Sequence, residues 1–145
     1  MIQVMTPESI PSLVAARAAD MIKTRRQFHA IPELGFEENE TSVAIADRLI
    51  AAGLEVETGI GKTGLVGVLK GAKPGRTLMI RADIDGLPIT ELTGLDFAST
   101  NGRMHACGHD GHITMAITAA EILSDIKDQL AGTIIFVFQP AEEVV

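Results

Sequence analysis

The run Thr133-Ile134-Ile135-Phe136-Val137-Phe138 constrains this chain more than any other feature. A continuous β-branched and aromatic stretch without polar alternation reads as a strand of a sheet covered on both faces, and it is too short for a helix. It ends in Gln139-Pro140-Ala141-Glu142-Glu143. A second apolar strand, Thr77-Leu78-Met79-Ile80, follows a turn at Lys73-Pro74-Gly75 and stops in the polar cluster Arg81-Ala82-Asp83-Ile84-Asp85-Gly86. Two buried strands that both end in acids point to a layered sheet with chemistry at one edge.

The rest of the pattern supplies the layers. From Ser12 to about Ala30, apolar Leu13, Ala16, Ala19, Met21, Ile22 and Phe28 recur at helical spacing among charged residues, and Pro32 ends the helix. A second helix runs from about Glu38 to Ala52, with Gly53 where a left-handed cap falls. Leu54–Thr58 and Gly64–Leu69 read as a hairpin turned by Gly59, Gly61 and Gly64. A third, very apolar helix spans about Asp110 to Leu130, with its first half buried on most sides. Helices alternating with buried strands predict an α/β fold, a layered mixed sheet flanked by helices. In such sheets sites form beyond the carboxyl ends of the strands, where Asp83, Asp85, Glu142 and Glu143 fall.

Residues 1–145 suit one domain, and no Pro/Ser linker or repeat divides them. A net charge of -7 with no Trp or Tyr offers neither a basic footprint nor a stacking platform, so nucleic acid is not an expected partner. The first eight residues lack the cationic-then-apolar pattern of a secretory leader, and no apolar stretch is long enough to span a bilayer. The expectation is a soluble, cytoplasmic protein without a membrane partner. A lone Cys107 cannot form an internal disulfide, which fits a reducing compartment.

The segment Met104-His105-Ala106-Cys107-Gly108-His109-Asp110-Gly111-His112 holds three of the four histidines and the only cysteine. A thiolate and an imidazole two residues apart in a glycine-containing loop suit Zn²⁺ or a similar borderline metal. The plainer alternative makes Cys107 a small buried hydrophobe and the histidines local caps. Glu142-Glu143 alone would read as a solvated loop. Beside a metal, adjacent carboxylates can divide the work, one binding the ion and the other acting as general base. Asp83 and Asp85 are open to two readings, a turn with Asx hydrogen bonds or a support that orients a ligand.

Four segments in order then carry a resemblance: Phe28-His29-Ala30-Ile31-Pro32-Glu33-Leu34-Gly35-Phe36-Glu37-Glu38, Arg81 to Pro88, His105 to His112, and Phe138 to Glu143. Together they resemble the amidohydrolases that include hippurate hydrolase, N-acyl-amino-acid amidohydrolase and the plant auxin-conjugate hydrolases. The resemblance implies the fold of the zinc carboxypeptidase and aminoacylase superfamily. It also implies a centre of two divalent metals (zinc, manganese or cobalt) that hydrolyses the amide of a small-molecule N-acyl amino acid. By position, Cys107, His109 and Glu143 match the metal ligands, Glu142 the general base and Asp85 a supporting residue. Asp83 falls where many relatives carry a ligand histidine.

Family members are more than twice this length, and their further histidine ligands and lid or dimerisation domain have no counterpart in these residues. The expectation is therefore a partial catalytic domain over 1–145, whose apolar third helix and strand 133–138 lack part of their cover and favour a homo-oligomer. A folded, catalytically inactive remnant that binds metal or self-associates is the rival reading. A Cys107 nucleophile with a histidine base ranks last, because it leaves Glu142-Glu143 without a task.

Overall fold

The computed structural model describes residues 6–144. The first five residues, part of the segment read for a leader, lie outside them. After a short 3-10 turn at Pro7–Ser9, the chain forms α1 (Ile10–His29), α2 (Asn39–Ala51), β1 (Glu55–Ile60), β2 (Gly64–Lys70), β3 (Lys73–Asp83), α3 (His109–Asp125) and β4 (Ala131–Gln139). The strands form one mixed sheet in the order β1-β2-β4-β3. β1 and β2 are the expected antiparallel hairpin, β2 pairs antiparallel with β4, and β3 runs parallel to β4. A parallel pair needs a crossover, and α3 provides it. The α/β expectation holds.

Each helix has a local reason for its bounds. α1 turns Leu13, Arg17, Met21, Thr24 and Phe28 inward, three or four residues apart, while Ala16, Ala19 and Ile22 face outward. α2 lacks a side-chain cap of its own; instead the Glu33 carboxylate accepts the N–H groups of Asn39, Glu40 and Thr41 at 3.1, 3.2 and 2.8 Å. That tertiary cap explains why the sequence defines the end of α2 better than its start. Arg48 of α2 binds Glu121 of α3 and Asp20 of α1, tying the three helices together.

Three expectations need correction. Helix α3 stops at Asp125, because Ile126 leaves the helical region at φ -117° and Lys127–Gln129 form a 3-10 turn before β4. Lys73-Pro74-Gly75 is no turn but the opening of β3: Lys73 pairs with Ala131, and the register shifts before Thr77 pairs with Thr133. Proline has no N–H for a ladder, and an irregular stretch on an edge strand tolerates it. The strand pattern's reading of a sheet covered on both faces also fails within these residues, in line with the expected partial cover. Phe136 and Phe138 are buried with Leu65, Leu69, Leu49 and Ile117, whereas Ile135 and Val137, on the other face, are only half-buried. On the β3 edge Leu78 and Met79 stand 57% and 67% exposed. No helix among the described residues is long and apolar enough to cross a membrane.

Candidate metal centre

Because β3 and β4 are parallel, their carboxyl ends lie side by side, with Asp83 paired to Gln139. Beyond them the chain leads to Asp85 on one side and to Glu142-Glu143 on the other. The segment before α3 joins this edge through paired backbone hydrogen bonds between Leu87 and Met104 at 2.9 and 3.0 Å. Gly108, at the N-cap of α3, is left-handed at φ 83°, a conformation that glycine adopts without strain. The turn it makes places His109, the first residue of α3, inside the molecule.

Asp85 organises the centre. Its side chain is fully buried; Oδ1 and the Asp85 carbonyl lie 3.1 and 2.9 Å from His109 Nδ1, and Oδ2 accepts the Glu143 N–H at 2.9 Å. Nδ1 faces only acceptors and so holds a proton, and in the tautomer that binds a metal the Nε2 lone pair is the one that faces outward from Asp85. Nε2 faces Glu142 Oε2 at 3.8 Å and Glu143 Oε1 at 3.9 Å. Those separations are too long for hydrogen bonds. Two ligands of one ion at about 2.1 Å each stand about 3.4 Å apart in a tetrahedron and further apart at wider angles. Glu143 Oε1 is also buried with no hydrogen-bond partner among the described residues. A free imidazole nitrogen facing an orphaned carboxylate oxygen is a donor set that fits a divalent cation.

A second group of possible ligands joins Asp83, His109 and His112. His112 Nδ1 lies 3.6 Å from Asp83 Oδ2, and the two imidazoles stack at 5.3 Å. Arg81 approaches Asp83 Oδ1 at 2.5 Å without the alignment of a hydrogen bond, so the two form an ion pair only. Since His109 has one free nitrogen, the two groups compete for it.

Cys107 is exposed, and the Glu143 carboxylate beside it, more than its burial or the other nearby acids, pushes its thiol above the ordinary range. The sulfur thus meets the Glu143 side of the centre but belongs to neither tight group. A nucleophilic cysteine needs the opposite shift. The sequence-derived residues Cys107, His109, Glu142, Glu143, Asp83 and Asp85 accordingly share one sheet edge. Sequence reasoning counted His112 in the metal-suited cluster but assigned it no ligand role, although its spacing from His109 was visible.

Two further carboxylate systems were not foreseen. Glu38 is wholly buried and accepts the Thr63 hydroxyl and the Ala141 N–H. His29, at the end of α1, sits between Asp110 Oδ2 at 2.8 Å and Glu91 Oε1 at 3.1 Å, and Arg25 also reaches Asp110. The Thr93 hydroxyl, then the Ser99 N–H and His29, hold Glu91 down to about 2 against the effect of burial. Burial pushes the neighbouring His105 down to about 4, so it is neutral at pH 7.

The comparisons agree with this geometry. The sequence model of Peptidase family M20/M25/M40 matches residues 79–145. The chain is 47% identical over 125 residues to thermostable carboxypeptidase 1 of Saccharolobus solfataricus, covering 85% of this chain and 32% of that protein. It is 45% identical over 141 residues to the N-acyl-L-amino acid amidohydrolase of Geobacillus stearothermophilus, covering 97% and 38% respectively. A dinuclear metal-binding peptidase of the M20 family from Bacillus subtilis superposes at a TM-score of 0.84 with 44% identity, over 90% of this chain and 37% of that one. The chain belongs to this peptidase family, and it spans about a third of the length of the curated relatives it matches.

Proposed function

We propose that the chain forms part of the catalytic domain of a metal-dependent amidohydrolase that cleaves linear amides of the N-acyl amino acid class. The observation that carries this reading is His109: Asp85 fixes its Nδ1, and its free Nε2 faces Glu142 and Glu143 across a gap suited to an ion. In this reading Cys107, His109 and Glu143 hold a divalent metal, zinc, manganese or cobalt, and Asp83 with His112 borders a second position. Bound there, the metal supplies Lewis acidity towards the scissile carbonyl and the attacking water. Glu142, with its side chain 41% exposed, is free to take a proton from that water as its oxygen adds to the carbonyl carbon. It returns the proton to the amide nitrogen as the C–N bond breaks. Asp85 keeps His109 and the Glu143 backbone in place throughout.

The supporting comparisons are relatives named for carboxypeptidase and N-acyl-amino-acid amidohydrolase activity and a structural neighbour described as dinuclear. The test loads the purified chain with Zn²⁺, Mn²⁺ or Co²⁺ and measures bound metal together with hippurate hydrolysis. Metal should bind and be lost in His109→Ala. Turnover should be close to background, since the chain spans about a third of its relatives' length and an oxyanion donor supplied from outside it would be worth about 10²- to 10³-fold, and any turnover should vanish in Glu142→Gln. A chain that binds no metal would overturn the proposal. A second reading, self-association without turnover, draws on the exposed β3 edge; light scattering of the chain tests it, a monomer at high concentration being the contrary result.

A further inference from the structure

We infer that Glu38 is a positioning residue for the candidate metal centre, its buried carboxylate holding the left-handed turn at Ala141 that aims Glu142 and Glu143 at His109. The inference rests on the metal reading of that centre. Glu38 is 0% exposed, and no lysine or arginine among the described residues pairs with it. Its oxygens instead take one donor each, the Thr63 hydroxyl on Oε2 and the Ala141 N–H on Oε1 at 2.8 Å. Burying a carboxylate without a counter-ion is costly unless its hydrogen bonds fix something the fold requires. What it fixes here is strained, because Ala141 is a non-glycine residue at φ 53°.

Two residues further on, Asp85 takes the Glu143 N–H in the same way at 2.9 Å. Alternate amides of the turn are thus each clamped by a buried carboxylate, one from the start of α2 and one from beyond β3. Glu142 lies between the clamps. The Glu38 end is itself anchored: its carbonyl accepts the Ser42 N–H at 3.0 Å, so a shift of the carboxylate would disturb the first turn of α2. Asp85 has a second task at His109, whereas Glu38 touches neither His109 nor either glutamate side chain. Its effect on the centre runs through the Ala141 backbone.

Three variants separate positioning from simple stability. Glu38→Met removes the carboxylate at similar side-chain size and leaves the Ala141 N–H and the Thr63 hydroxyl without their acceptor, so it should lower stability, and melting temperature is measured beside it. Glu38→Gln keeps an oxygen acceptor for the Ala141 N–H. Glu38→Met combined with Ala141→Gly removes the clamp and the strain together. Amide hydrogen exchange without metal should show protection at Ala141 lost in Glu38→Met and kept in Glu38→Gln. Zn²⁺ affinity by chelator competition should fall about 10- to 100-fold in Glu38→Met, the scale typical of supporting residues. It should stay within about 3-fold of the parent in Glu38→Gln and recover in part in the double variant, because glycine adopts positive φ freely. Unchanged Ala141 protection in Glu38→Met, or Zn²⁺ affinity that simply follows melting temperature across the variants, would overturn the inference. If the parent chain binds no Zn²⁺, the metal reading fails, and exchange at Ala141 alone still decides whether Glu38 holds the turn.

Discussion

His29 and His109 are both buried imidazoles set among carboxylates, yet the structure uses them in opposite ways. His29 is saturated, with Asp110 and Glu91 at 2.8 and 3.1 Å on its two nitrogens and Phe97 edge-on to its ring. His109 is saturated on one side only; beyond its Nε2 the nearest carboxylate oxygens stand 3.8 and 3.9 Å away. Residue types alone would rank the two clusters together. A difference of about 1 Å in contact distance separates a closed hydrogen-bonded joint between α1, α3 and the loop carrying Glu91 from a centre with room for an ion.

If His29 is a joint, removing it should cost more than any change at the open centre. His29→Ala leaves two buried carboxylates without their shared partner, and urea unfolding should show a loss of about 3–5 kcal/mol. A loss below about 1 kcal/mol would place His29 with ordinary buried side chains and break the comparison. A metal should sharpen the other half of it. Zn²⁺ at 100 times its dissociation constant should stabilise the parent by about 2.7 kcal/mol and leave His109→Ala unmoved. Equal stabilisation of both proteins would put the ion somewhere other than His109 Nε2.

The smallest effect is a pH dependence confined to the closed cluster. Thr93, Ser99 and His29 depress Glu91 to about 2 in the folded chain from an ordinary carboxylate value of 4.5. A depressed carboxylate contributes stability that is complete above about 4.5 and is lost as pH falls towards 2. Unfolding free energies measured across that window should decline in the parent, and Glu91→Gln should flatten part of the decline. An identical slope in both would assign the acid sensitivity to other groups.

How far the sequence revealed this molecule follows from how local each feature is. The hairpin, the glycine that ends α2 and the acids ending β3 and β4 depend on neighbours a few residues apart, and pattern alone located them. The nearness of Cys107 to His109 is likewise a matter of two residues of sequence, although Cys107 joins neither tight group of possible ligands. Glu38 and Ala141 are 103 residues apart, and His29 and Asp110 are 81 apart. No periodicity records such contacts. A buried glutamate next to an exposed one, as at Glu37-Glu38, looks like any charged helix start until its partner across the fold is known. The bounds of β3 and α3 were missed for a related reason: tertiary pairing of Lys73 with Ala131 overrode a Pro-Gly turn signal, and the entry into β4 cut α3 short.

The β3 edge has a practical consequence. Its outer backbone groups have no strand beside them among the described residues, and exposed Leu78 and Met79 give that edge an apolar surface. Such an edge is a template for adding another strand, and any second chain that meets it in solution offers one. The encounter rate rises with the square of the amount dissolved, whereas the helices and the carboxylate joints that hold the domain together do not sense how crowded the sample is. If the second reading holds and this edge does pair, the amount of chain dissolved, rather than heat or acid, is the variable to which its association responds.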